Sequence, residues 1–169
     1  MKNVLEKEKI INSKRQPKNL KRFLSSLKFD FHESSPSMKK CTDKRCMTCP
    51  RLIEGTSFTF KNRWTFTVMQ DIWCKTKNLV YAIICSNCGE LYVDETKIEL
   101  RTRITVHRQQ TRHQDLTIIR ANEHFHHCSG GHFKIFPLYQ VNTEGDFLRR
   151  GKETVLINIL KPTLNDKWL

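Results

Sequence analysis

At 169 residues the chain has room for one domain of ordinary size plus a tail or small satellite module, and its 38% hydrophobic content allows only a modest core. The formal charge of +13 predicts attraction to a polyanion, nucleic acid first, ahead of a merely soluble basic protein or one touching anionic membrane. No apolar run approaches the roughly 20 residues of a spanning helix, which excludes a helical membrane protein.

Residues 1–40 read as a basic arm and linker. The start, MKNVLEKEKIINSKRQ, is charged throughout and has no apolar stretch of the signal-peptide kind, so the protein is expected inside the cell, in the nucleus. Residues 1–29 carry nine Lys or Arg against two Glu. Leu20, Phe23, Leu24 and Leu27 recur at helical spacing, which predicts one amphipathic helix over 17–30 with its basic face outward. HESSPS, 32–37, is linker by composition.

Residues 41–77 form a cysteine-bounded segment, opened by CTDKRCMTC and closed by DIWC. In a reducing compartment, clustered cysteines read as metal ligands before they read as disulfides, and the odd total of seven agrees. Between them Phe58, Phe60, Trp64, Phe66 and Val68 alternate with polar residues. That period of two predicts a β-hairpin turning near Lys61, Asn62 and Arg63. So small a piece needs a staple. Cys41, Cys46 and Cys49 need a fourth ligand for tetrahedral Zn²⁺, and Cys74 is the natural one.

Residues 78–169 carry a different pattern. LVYAIIC reads as a central strand, a turn at Ser86, Asn87 and Gly89 leads to a partner strand at 91–93, and Thr96 with Glu99 has the form of a capping box. The helix that follows puts Leu100, Arg103, Ile104 and His107 on one face. A His- and Gly-rich loop over 124–132 precedes a strand at 133–141, whose Pro137 implies a sheet edge or bulge. A final helix over 146–160 is stopped by Pro162. The order β-β-α-β-α describes a small α/β sandwich with a short, mainly antiparallel sheet flanked by helices.

Several side chains in this region are suited to chemistry. Two neighbouring strands can bring Tyr81 and Tyr92 to one patch, although a free phenol, with pKa ~10, is a poor base and two strand tyrosines also serve as core. Arg103 and His107, one turn apart, can clamp a phosphate and shuttle a proton; they also suit an ordinary amphipathic helix. Glu153 shares a face with Leu156, Ile157 and Leu160, a costly place for a carboxylate unless it binds metal or pairs with Arg149 or Arg150. Cys85-x-x-Cys88 is a metal knuckle, with no thioredoxin-like helix start after it to suggest redox chemistry.

Taken in order, VYAI, YVDET, LRTRITVHR and GKETVLINILKPTLN resemble the motif set of GIY-YIG nucleases. NLVYAIICSNCGELYVDET is more specific: it resembles the endonuclease domain of Penelope-like retroelements, which has a CxxC between the two tyrosine motifs. The likeness extends upstream through KRCMTCP and KRQPKNLKRFL, covering nearly the whole chain. No reverse-transcriptase region is present, so the chain resembles a detached or truncated C-terminal part of such an element.

The resemblance implies a DNA endonuclease that hydrolyses phosphodiesters with one Mg²⁺ or Mn²⁺. Tyr81 would be the general base, Tyr92 would help orient the water, and Arg103 would stabilise charge on the transition state. His107 would be the histidine found one turn later, Glu153 the metal ligand and Asn165 a supporting asparagine. The partners implied are DNA, with RNA as an option, and the reverse transcriptase of the parent element. The family's CCHH arrangement points to His124 and His132 as partners of Cys85 and Cys88 on a second structural Zn²⁺, with His126, His127 and Cys128 as substitutes. Three departures stand out. Asp94 replaces the glycine expected after Tyr92 and Val93, Gly151 sits inside the glutamate helix, and the aromatic residue usual just after the glutamate is missing. They favour a rival expectation, a catalytically inactive, zinc-containing nucleic-acid-binding remnant of the same fold.

Overall fold

LVYAIIC, apolar and rich in β-branched residues, has no polar face, and it takes the one position where both faces of a strand are covered. In the computed structural model it is the middle strand of a three-stranded antiparallel sheet, flanked by Leu91–Thr96 and Phe133–Gln140. The structure describes residues 36–113, 120–142 and 145–165. These fall in one compact unit, Phe31–Leu169, and the arm helix expected over 17–30 lies outside them. In chain order the strands are β1 (Met38–Lys39), β2 (Ser57–Thr59), β3 (Thr65–Thr67), β4 (Ile72–Trp73), β5 (Leu79–Cys85), β6 (Leu91–Thr96) and β7 (Phe133–Gln140). The helices are α1 (Leu100–His113), α2 (Arg120–Ser129) and α3 (Asp146–Leu160), with a short 3-10 turn at Cys49–Arg51. No helix among the described residues is long and apolar enough to cross a membrane.

The alternation of side chains along β5 divides the interior in two. Leu79, Tyr81, Ile83 and Cys85 face a core shared with Leu100, Ile104 and Phe125 of α1 and α2, and with the cysteines of 41–77. Val80, Ala82 and Ile84 face the other core, built with Leu156 and Leu160 of α3 and with Phe60 and Val68. Pro137 on the edge strand β7 pairs with Tyr81, beside a register shift between Val80 and Tyr81, so the proline falls where a ladder N–H is least needed.

β2 and β3 pair antiparallel, with Phe58 opposite Phe66, and Arg63 supplies the left-handed residue of the turn at φ 66°. The pair draws its support from the main sheet. Phe58, Phe60 and Phe66 surround Phe136 of β7 at centroid distances of 5.4, 6.2 and 6.1 Å. Asn62 Nδ2 donates to the carbonyl of Leu160, capping α3. Residues 41–77 thus contribute to both cores. A parallel pairing of β1 with β4, which the periodicity does not announce, closes the segment and returns Cys74 towards Cys41.

Two local expectations need correction. The stretch expected to be a His- and Gly-rich loop is mostly α2, which runs to Ser129; only Gly130 and Gly131, both at positive φ, make the turn into β7. Helical periodicity here is carried by Ala121, Phe125 and the small or aromatic residues around them, which a glance at composition hides. The capping box does not form either. Thr96 Oγ1 accepts from Ile98 N at 3.2 Å, and Glu99 turns to Arg101 at 2.6 Å. The first free N–H groups of α1 are instead taken up by the preceding segment: Leu100 N donates to Thr76 O at 3.0 Å and Arg101 N to Cys74 O at 2.8 Å.

Candidate active site and metal groups

Antiparallel pairing sets Tyr81 directly opposite Asp94, and Tyr92 opposite Ile83, on the face that α1 covers. α1 then lowers Arg103 and His107 onto the same spot. Tyr81, fully buried, donates its phenolic proton to Asp94 Oδ2 at 2.8 Å, and its Oη lies 2.9 Å from His107 Nε2. Arg103 reaches Asp94 Oδ2 through NH2 at 2.8 Å and Nε at 3.2 Å, and reaches Tyr81 Oη at 3.3 Å. His107 Nε2 is also 3.1 Å from Asp94 Oδ2, while Asp94 Oδ1 accepts from Glu95 N at 2.8 Å. One carboxylate oxygen therefore gathers a phenol, an imidazole and a guanidinium.

The charges follow this geometry. Burial alone would raise the Asp94 carboxyl, but the hydrogen bond from His107 and the charge of Arg103 hold it down at about 2. Burial and the Asp94 charge push the Tyr81 phenol well above its ordinary value, so it is held neutral. Although burial opposes it, the Asp94 charge raises Arg103 further above the usual guanidinium range. Tyr92 stands beside the group, its ring centroid 6.1 Å from that of His107.

Behind His107 lies a residue that sequence reasoning missed. Asn122 Oδ1 faces His107 Nδ1 at 3.3 Å, and Asn122 Nδ2 donates to Gln110 Oε1 at 3.0 Å. Asn122 belongs to α2, so the loop reading concealed it; recognising Ala121, Asn122 and Phe125 as one buried helical face would have found it. Asn165 folds back onto β6, its Oδ1 accepting from Val93 N and its Nδ2 donating to Val93 O, both at 2.8 Å.

Glu153 sits half-buried on α3, whose Leu156 and Leu160 enter the core on the other side of the sheet. Burial first, then the negative fields of Asp94 and Glu95, raise its carboxyl to about 7, with Arg150 and Arg149 offsetting only part. Arg149 is committed elsewhere: buried, it pairs with Glu95 and, at 2.8 Å, with Asp146. Beside Asp94 and Arg103 opens a cleft of about 330 Å³, lined also by Glu95, Asp146, Arg149 and Arg150.

The cysteines assemble into two groups, each able to hold a metal such as zinc. The ligand atoms of Cys41, Cys46, Cys49 and Cys74 all lie within 4.8 Å of one another. Cys49 and Cys41 Sγ are 3.4 Å apart, and Cys46 and Cys74 Sγ 3.8 Å. A tetrahedron with bonds of about 2.3 Å has edges of about 3.8 Å, so the spacing suits a four-thiolate site. Burial raises the Cys46 thiol, but the N–H groups of Cys49 and Thr48 outweigh it and bring it to about 7. Burial pushes Cys49 up to about 11 and Cys74 higher still.

The second group is Cys85, Cys88, His124 and Cys128. Cys88 Sγ lies 3.3 Å from His124 Nε2. Burial opposes ionisation of Cys85, yet N–H donors of Cys88 and Asn87 lower it to about 6. The fourth position expected for His132 is taken by Cys128. His124 and Cys128 stand one turn apart on α2 and share a face, whereas His132 falls beyond the Gly130–Gly131 turn; His126 is engaged with the carbonyl of Thr111 at 2.8 Å.

No protein-family model matches the chain, and comparison with curated proteins and with solved structures returns no significant match.

Proposed function

We propose that residues 78–165 form a metal-dependent DNA endonuclease domain of the GIY-YIG type, hydrolysing phosphodiesters. The observation that carries this reading is the convergence of Tyr81, Arg103 and His107 on one anionic oxygen, Asp94 Oδ2. Such a set is a receptor for a phosphate oxygen: a guanidinium to neutralise charge, a phenol and an imidazole to donate and relay a proton. In the proposed reaction Arg103 holds the non-bridging oxygens as negative charge builds on them. His107 takes the proton of the attacking water through the neutral Tyr81 hydroxyl, the P–O bond to the leaving oxygen breaks and that oxygen takes a proton from solvent, while Asn122 fixes the imidazole ring. Glu153, with its raised carboxyl, supplies the position for a divalent cation, which would act as a Lewis acid when bound. Zn²⁺ in the two cysteine groups is structural in this reading, since each offers four protein ligands and no open position.

DNA as partner is supported by a second surface. A groove of about 510 Å³ between the Cys41–Cys49 loop and α1 is lined by Arg45, Arg101 and Arg108, with Asp43 as its one acidic residue. Arg101 is paired with Glu99, while Arg108 Nε is buried with no hydrogen-bond partner. Three guanidinium charges against one carboxylate along the groove suit phosphate contacts, which position nucleic acid irrespective of sequence.

Plasmid nicking in Mg²⁺ or Mn²⁺ tests the proposal. Wild type should nick, and Glu153→Ala and Arg103→Ala should each lower the rate at least a hundredfold with DNA affinity within threefold. A second reading, a binding module without activity, is favoured by the full engagement of Arg103 by Asp94. It predicts DNA binding in both proteins and nicking in neither.

A further inference from the structure

The groups of the proposed phosphate receptor that face β6 converge on one residue of the chain itself. Asp94 projects from β6 directly opposite Tyr81, and its Oδ2 takes the hydrogen bonds of Tyr81 and Arg103 and lies within bonding distance of His107. A carboxylate oxygen and a phosphate oxygen present the same anionic acceptor to a guanidinium and a phenol. The contact is intramolecular, so its effective concentration far exceeds that of any diffusing ligand. The occupied receptor nevertheless opens on solvent. Asp94 and Arg103 both line the cleft beside β6, whose walls also carry Lys97 and Arg150, with Arg149 paired to Glu95 and Asp146.

We propose that Asp94 is a built-in surrogate for substrate phosphate: its carboxylate occupies the phosphodiester site formed by Tyr81, Arg103 and His107 and must swing out before a phosphodiester can enter. The inference rests on the nuclease-type reading of this site and specifies how access to it is controlled. A neighbouring residue that merely packed would have no reason to collect all three functional groups on one oxygen. Asp94 Oδ1 accepts only the local bond from Glu95 N, and the pairing of β6 with β5 is made by main chain, so the side chain can turn without unfolding the strand.

The test uses the full chain as wild type, Asp94→Asn and Asp94→Gly. Asparagine keeps the volume and the strand propensity, whereas glycine removes the group at a cost in strand stability, so the asparagine variant decides if glycine fails to fold. The first readout is calorimetric binding of thymidylyl-thymidine in EDTA, where no cleavage occurs. Both variants should bind it at least tenfold more tightly than wild type. Arg103→Gln should cost less than twofold in wild type and at least tenfold in the Asp94→Asn background, because only there does the guanidinium lack its internal counter-charge. Equal or weaker binding by the folded variants, or the same Arg103→Gln penalty in both backgrounds, would overturn the surrogate. Plasmid nicking is the second readout and separates the two claims. A tenfold or greater rise in Asp94→Gly or Asp94→Asn supports both. Tighter dinucleotide binding with no nicking by any protein keeps the surrogate and removes the nuclease.

Discussion

Opposite protonation behaviour in neighbouring carboxyls gives the site a measurable signature. Glu153 has a folded value of about 7 against about 4.5 unfolded, so the native state prefers it protonated. Its contribution favours folding at low pH and is lost as pH rises from about 4.5 through about 7. Urea titrations between pH 5 and 8 should show stability falling over that window, and Glu153→Gln should flatten the slope. Asp94 acts the other way: held at about 2, it stabilises the fold above about 3.8 and loses that contribution as pH falls towards about 2. Asn122→Ala should cost about 1–3 kcal/mol, because it leaves a buried imidazole nitrogen without its partner. Thermal melts with Asn122→Asp as comparison would check it; a loss below about 0.5 kcal/mol would mean that the imidazole is oriented by its other neighbours.

Among the elements, those with a clean period were legible from sequence, and those held by distant partners were not. β5, α3 and the turn at Arg63 declare themselves through an apolar run, a stop at Pro162 and the polar Lys61, Asn62 and Arg63 between alternating aromatics. α2 does not, because histidines spaced as ligands mask the apolar positions beneath them. The start of α1 is the more instructive case. A local Thr and Glu pair promised the cap, yet the carbonyls of Cys74 and Thr76 provide it, and no local pattern encodes a tertiary contact of that kind. It follows that metal held by Cys74 should stiffen the helix that carries Arg103 and His107. Stripping metal with a thiol-compatible chelator should accelerate hydrogen exchange at the Leu100 and Arg101 amides ahead of those in β5. Uniform acceleration would show instead that the whole fold opens as one unit. Phe136, central to the aromatic group under the hairpin, should cost about 3–5 kcal/mol on substitution by Ala, read from denaturant unfolding.

At the scale of the described fold, the three-stranded sheet divides labour between its faces. One carries the Tyr81, Asp94, Arg103 and His107 group and both cysteine clusters, and the other packs α3 and the hairpin. The sequence reading required Tyr81, Tyr92, Arg103 and Glu153 to converge, with His107 one turn after the arginine; the structure brings Tyr81, Arg103 and His107 into bonding distance, with Tyr92 beside them. Glu153 instead stands on α3, which packs on the other face, and its tie to the group is that the charge of Asp94 helps burial to raise its carboxyl. The identity of its neighbours was not legible because a face assignment on α3 says nothing of which strand edge it overhangs. The basic groove belongs to this scale too. Replacing Arg45 and Arg108 together by Ala should reduce the slope of log affinity for duplex DNA against log salt by about 2, as expected if each meets one phosphate. An unchanged slope would place the DNA elsewhere.

β6 is the outermost strand of its sheet, and Val93 is the point where the side-chain amide of Asn165 lies against it. With Leu164 N donating to Leu91 O at 3.1 Å, that amide makes a short piece of a fourth strand, so the tail occupies an edge that another chain could otherwise extend by main-chain pairing. A chain shortened to Leu160 would therefore bare an open ladder and should self-associate in a concentration-dependent way visible by sedimentation, whereas Asn165→Asp, which keeps the tail but spoils the donor, should do so only weakly.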